Sequence, residues 1–180
     1  GVGLLLFGTP SFLLFGYDFA NTINILMPIS ITISSLQFFK SKVNDKKFLK
    51  EYNIFCLPFL IIFLTIALNF KYLFDFKLLV AVLLIFSSIL ILNKKRLSSF
   101  KKTFFKYKKL VLIGIGGVHG LTNMGGSFLA IYSTLVSQNI KEVARYYICY
   151  GYLVMGVIQY LLVLFISFNY LSFEILYCHL

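Results

Sequence analysis

Long apolar runs separated by short charged stretches organise this chain. The apolar runs are 1–16, 19–39, 54–70, 76–92, 110–137 and 146–168, and another begins at 170. A helix needs about 20 apolar residues to span a bilayer, so each run predicts a spanning helix, with 1–16 short of full length. The 17 Lys and Arg residues all fall in 40–50, 71–77, 94–109 and 141–145. Outside those stretches and the adjoining Glu51, only Asp18 and Glu174 are charged. A charge at the centre of a spanning helix costs about 2.5–3.5 kcal/mol on insertion scales, which accounts for the segregation. Six spans leave no room for a soluble domain, and short loops make neighbouring helices antiparallel. The expected fold is all-α, a polytopic transmembrane helix bundle.

Composition agrees: 59% of residues are hydrophobic and 13% are charged, against about 25% charged in soluble domains. The net charge of +11 sits in loops, where it acts as a topology signal rather than a nucleic-acid surface. Stretches 40–53 and 93–109 carry five and eight basic residues, and 69–77 and 138–145 carry two each. The positive-inside rule therefore places the first pair in the cytoplasm and the second pair outside. A re-entrant hairpin at 1–16 or 110–137 would undo this count. Cys56, Cys149 and Cys178 show no metal or redox spacing, and no cofactor is expected. The chain opens on Gly1 and closes in an apolar stretch at Leu180, so a longer protein with further spans is expected.

The unusual run is 110–137. As one helix its 28 residues would extend about 42 Å, against a hydrocarbon core of about 30 Å. It holds Gly114, Gly116, Gly117, Gly120, Gly125 and Gly126, with polar His119, Thr122, Asn123 and Ser127 among them. Two half-helices joined by a break near mid-membrane are expected; such backbone is tolerated where it is buried or lines a cavity. Close helix packing through Gly116 and Gly120 is the alternative use of these glycines. The first run carries a similar device: Gly8-Thr9-Pro10-Ser11, with Thr9 suited to an N-cap and Pro10 to a first turn. Both Ser11-Phe12-Leu13 and Ser127-Phe128-Leu129 then read as helix starts, whose free N–H groups attract anions. Paired broken segments point to a transporter's binding site.

Nearby spans add polar faces. Asn21, Asn24, Pro28, Thr32 and Ser35 share one face of 19–39, and Tyr152, Gly156 and Gln159 share one face of 146–168. Tyr146, Tyr147, Tyr150 and Tyr152 suggest an interfacial belt, and Arg145 a headgroup anchor or an anion lure. His119 is either a proton relay or a packing residue. The candidate solute-binding residues are thus Gly8, Thr9, Pro10, Ser11, Asn21, Asn24, His119, Thr122, Asn123, Gly125, Gly126 and Ser127. The spans contain no Asp or Glu and one usable His, so no catalytic constellation can be assembled and an enzyme is not expected.

The stretches Gly117-Val-His-Gly-Leu-Thr-Asn-Met-Gly-Gly-Ser-Phe-Leu129 and Gly1-Val-Gly-Leu-Leu-Leu-Phe-Gly-Thr-Pro-Ser-Phe-Leu13 resemble the glycine motifs of the sulfite exporter TauE/SafE family. That resemblance implies two related halves with broken Gly-rich helices: 1–92 as a first membrane repeat, 93–109 as a basic cytoplasmic loop, and 110–180 as an incomplete second repeat. The charge count would make the halves parallel. It also implies a bacterial inner-membrane transporter of a small anion such as sulfite or an organosulfonate. This chain departs from the pattern, with Gly-Thr-Pro in place of a glycine run in the first motif and no Pro after the glycines of the second. A non-transporting membrane scaffold or assembly factor is the competing expectation.

Overall fold

The computed structural model describes residues 2–70, 75–92, 105–138 and 140–177. Most of the basic 93–109 stretch, together with Cys178 and His179, lies outside the described residues. Eight helices are numbered here in chain order: α1 (Val2–Leu14), α2 (Phe19–Phe39), α3 (Lys46–Phe55), α4 (Leu57–Asn69), α5 (Phe76–Leu92), α6 (Lys108–Thr122), α7 (Gly126–Val136) and α8 (Lys141–Tyr177). Among the described residues there is no strand. Three stretches are long and apolar enough to cross a membrane: Phe19–Phe39, Lys46–Asn69 and Lys141–Ile166.

Local chemistry explains the helix boundaries. Asp18 caps α2 by accepting from the Asn21 N–H at 2.7 Å, and Asp45 caps α3 by accepting from the Phe48 N–H at 3.0 Å. The second cap corrects the reading of 40–53 as a loop. Helix α3 begins at Lys46 because Phe48 and Tyr52, one turn apart, bury one face while the lysines stay outside. It meets α4 at Cys56, where Pro58 supplies no N–H to continue the ladder.

A second correction concerns α1. It runs unbroken from Val2 to Leu14 through Pro10, so Thr9 is an interior residue and not an N-cap. The Ser11 hydroxyl turns back to the Phe7 carbonyl at 2.7 Å inside the same helix. One proline removes a single ladder bond, and the apolar turns on either side are long enough to carry the helix through it.

Contacts at one end of the bundle fix the direction of each helix. Tyr147 on α8 donates to the Asp45 carboxylate at 2.5 Å and stacks on Phe48 with ring centroids 3.7 Å apart. Tyr146 stacks on Phe38 at the end of α2. The start of α6 reaches the same place, since Lys108 pairs with Glu51 at 2.6 Å. So does α7, whose Tyr132 ring lies 6.4 Å from that of Phe48. At the opposite end, Phe19 stacks on Phe76 at 4.6 Å, bringing the starts of α2 and α5 together.

The consequence is a third correction. Helix α6 enters the bundle beside α4, and α7 returns to the end where α6 began. The stretch 108–136 is a helical hairpin whose two ends lie at the same end of the bundle. Segment 138–145 therefore joins 40–53 at one end instead of opposing it. Among the described residues, ten of the eleven Lys and Arg lie there: Lys40, Lys42, Lys46, Lys47, Lys50, Lys106, Lys108, Lys109, Lys141 and Arg145, with Lys77 at the other end. The α1–α2 and α7–α8 pairs consequently run in opposite directions, not parallel.

Gly116 and Gly120 serve the packing role. A Cβ on Gly116 would collide with the Cys56 carbonyl oxygen, and one on Gly120 would lie 2.5 Å from that of Leu60. The two glycines let α6 settle against the backbone of α4. The tyrosines also turn inward: Tyr146, Tyr147 and Tyr152 are buried, and Tyr150 donates to Asn53 at 2.8 Å.

Two expectations follow. In sealed vesicles, single cysteines at Lys109 and Gln138 should react with an impermeant thiol reagent from the same face as one at Lys42, and one at Tyr17 from the opposite face. Labelling of positions 109 and 138 from opposite faces would remove the hairpin. The second concerns Asp45. Its partial burial raises the pKa, but hydrogen bonds from Tyr147 and from the Phe48 and Lys47 N–H groups, with the Lys47 charge, outweigh that and hold it below the ordinary carboxylate value. A depressed folded pKa stabilises above the unfolded value of about 4 and loses that contribution as pH falls through the folded value. Asp45→Asn should therefore lower the apparent melting temperature at neutral pH, with the gap to the wild type closing on acidification. A gap that is independent of pH would refute the assignment.

Candidate functional site

The hairpin turns at Asn123, Met124 and Gly125, and each step of the turn has a chemical cause. Asn123 takes the left-handed conformation (φ 61°), a region that asparagine tolerates better than most residues. Its N–H still donates to the His119 carbonyl at 2.8 Å, closing α6. The Thr122 hydroxyl donates to the Val118 carbonyl at 2.7 Å and accepts from the Met124 N–H at 3.3 Å. The chain then folds back so tightly that a Cβ on Gly125 would lie 2.5 Å from the His119 Cβ. At Gly126 a Cβ would overlap the Tyr152 hydroxyl, so glycine is required for α8 to reach the start of α7. Ser127 donates to the Met124 carbonyl at 3.1 Å and completes the first turn of α7.

A buried polar cluster surrounds this turn. Asn123 Nδ2 donates to Thr9 Oγ1 at 3.2 Å, joining the turn to α1. Gln159 Nε2 on α8 donates to the His119 carbonyl at 3.3 Å, the same oxygen that accepts from Asn123. The His119 ring stands edge-on to Tyr152. His119, Asn123 and Gln159 are each 0% exposed. Even so, both ring nitrogens of His119, Asn123 Oδ1 and Gln159 Oε1 have no hydrogen-bond partner among the described residues. Asn24 Oδ1 on α2 is in the same condition. It lies two turns before Ile31, which packs on Gly156, so on the antiparallel α8 it stands about one turn beyond the level of Gln159. An unpaired buried polar group costs about 1–3 kcal/mol, and several together mark a place where stability yields to another demand.

The structure thus unites Thr9, His119, Thr122, Asn123, Gly125, Gly126 and Ser127 around one turn. Others do not join them. Asn21 is exposed, and its N–H serves the α2 cap. Ser11 is exposed on α1, Pro10 is half-buried, and Gly8 packs against Leu26. Gln159 and Tyr152 are the residues missing from the sequence-derived set. The signal for Gln159 was available, since it is the one amide in the apolar run 153–166.

A groove of about 650 Å³ opens between α5 and α6, walled by Leu78, Val82, Val118 and Leu121 and extending between Asp75 and Thr122. It is an apolar approach to the base of the turn. No family model matches this chain, and neither a curated protein nor a solved structure matches it.

The left-handed backbone at position 123 gives a direct stability test. Asn123→Gly should keep the apparent melting temperature close to wild type, whereas Asn123→Val should destabilise by about 1–3 kcal/mol. Equal melting temperatures for the two variants would show that the turn does not depend on this conformation.

Proposed function

We propose that this protein is a membrane-embedded secondary transporter of a small anionic solute, with the solute bound at the turn between α6 and α7. The observation that carries this reading is the turn itself: irregular backbone in the bundle interior, ringed by buried polar side chains without partners. Close-packed apolar bundles have no use for such a feature, and lipid-facing backbone cannot sustain it. The eleven-residue helix α7 starts at this point. Its first N–H groups and about half a positive charge favour an anion without a buried Lys or Arg.

Three apolar helices of spanning length and the gathering of basic residues at one end support an inner-membrane protein with that end in the cytoplasm. The resemblance of the glycine motifs to the sulfite exporter family makes sulfite and small organosulfonates the first solutes to try. That support is weaker than the sequence suggested, because α1 has no break at its motif.

A non-transporting scaffold is the second reading. It is favoured by the close seating of α6 on α4 and by Tyr152 filling the space above Gly126. Flux separates the two. Purified protein in liposomes should pass sulfite or methanesulfonate down a gradient. Thr122→Val and Asn123→Gly should each lower that flux about tenfold, the effect of losing roughly 1.4 kcal/mol of solute interaction. A folded wild-type protein that passes none of a panel of small anions would leave the scaffold reading standing.

A further inference from the structure

Beside the two ring nitrogens of His119, one of which carries a proton in the neutral imidazole, the unpartnered atoms around the turn include three amide oxygens. Asn24 Oδ1, Asn123 Oδ1 and Gln159 Oε1 are all carbonyl oxygens, which accept and never donate. The orientation of the Gln159 amide follows from its partner. Gln159 presents its nitrogen to the His119 carbonyl, which can only accept, so its oxygen is left over. Asn123 places its nitrogen on the Thr9 hydroxyl, which accepts here although it can also donate, and Oδ1 is left without a partner. Among the described residues no Lys or Arg sits in the bundle interior to answer these oxygens. The cluster also lies at the C-terminal end of α6, where the helix dipole places about half a negative charge.

We propose that these oxygens form a binding site for an alkali-metal cation at the C-terminal end of α6, adjacent to the solute position at the start of α7. The donor set fits a monovalent hard cation. Neutral amide and hydroxyl oxygens replace the hydration shell of such an ion, as carbonyl rings do in selective channels. A divalent cation calls for carboxylates, and Asn24, Asn123, Gln159 and Thr9 offer none. An anion avoids these oxygens and is served instead by the free N–H groups at the start of α7. Broken helices can divide the labour: the half-helix N-terminus receives the anion, and the half-helix C-terminal end receives the cation. Here both ends flank the three residues from Asn123 to Gly125. Carrying the two ions together reduces the net charge moved through the low-dielectric interior. The coupling role of the ion rests on the transport reading, but its binding does not.

The test uses purified full-length chain in detergent, with no solute. Thermal unfolding is followed in NaCl, KCl, LiCl and choline chloride at equal ionic strength. One alkali cation should raise the melting temperature saturably above the choline value. Gln159→Leu and Asn24→Leu should each need at least tenfold more of that cation for half the effect. Ser11→Ala, outside the cluster, should respond as wild type does. Should Gln159→Leu fail to fold, equilibrium binding of radioactive sodium to the wild type, displaced by lithium or potassium but not by choline, gives the same decision. Identical melting temperatures in all four chlorides together with no saturable sodium binding would overturn the proposal. So would a shift that follows pH and ignores the cation, since that places a proton on His119 instead. Cation binding without anion flux in liposomes would uphold the site and reject the transport reading. Anion flux unaffected by alkali cations, with no binding, would do the reverse.

Discussion

Away from water, every backbone N–H and C=O must find a partner inside the protein, and the rest of this fold depends on how that demand is met between α6 and α7. The helical ladder is interrupted at one interior point. Around it the freed groups are satisfied by side chains close by: the Thr122 hydroxyl takes the Met124 N–H, and the His119 carbonyl receives both Asn123 and Gln159. The turn is held to α1 through Thr9 and to α8 through Gln159 and Tyr152. The geometry that closes the hairpin therefore also assembles the polar cluster. A polar cluster built this way is fixed by the fold and needs no dedicated loop.

The basic end anchors what the turn leaves free. The hairpin has both its ends at one end of the bundle, and both are tied to α3, Lys108 through Glu51 and Tyr132 through Phe48. The Glu51–Lys108 pair is partly exposed and contributes at most about 1 kcal/mol, so its role is to set register. The aromatic stack of Phe48 and Tyr147, with the Asp45 carboxylate beside it, provides the firmer contact.

Much of this was legible in the residues, and each miss has a cause. The glycine cluster announced a break in 110–137, which falls within residues 123–125. Its packing use was legible too, since Gly116 and Gly120 have the spacing that lets two helices touch. The motif around Thr9 and Pro10 misled, because cap preference is a local tendency and the surrounding apolar helix overrode it. The lysines of 40–53 suggested a loop and hid a helix whose buried face needs two residues, Phe48 and Tyr52. Gln159 was placed with Tyr152 and Gly156 on one face of 146–168 but not in the site, because spacing along one helix says nothing of what that face meets.

The sequence alone determined that apolar and charged residues are segregated, that helices fill the chain, and that one run is too long and too rich in glycine to remain a single helix. These follow from composition and period, which act locally. Only the tertiary structure decided that this run doubles back to the end of the bundle where it began. Direction after a break is set by what each half packs against, and the partners of α6 and α7 are distant in the chain. Lys108 finds Glu51, Tyr132 finds Phe48, and Asn123 finds Thr9 across more than a hundred residues. No local preference encodes those pairings, and they are what turn a broken helix into a buried polar site.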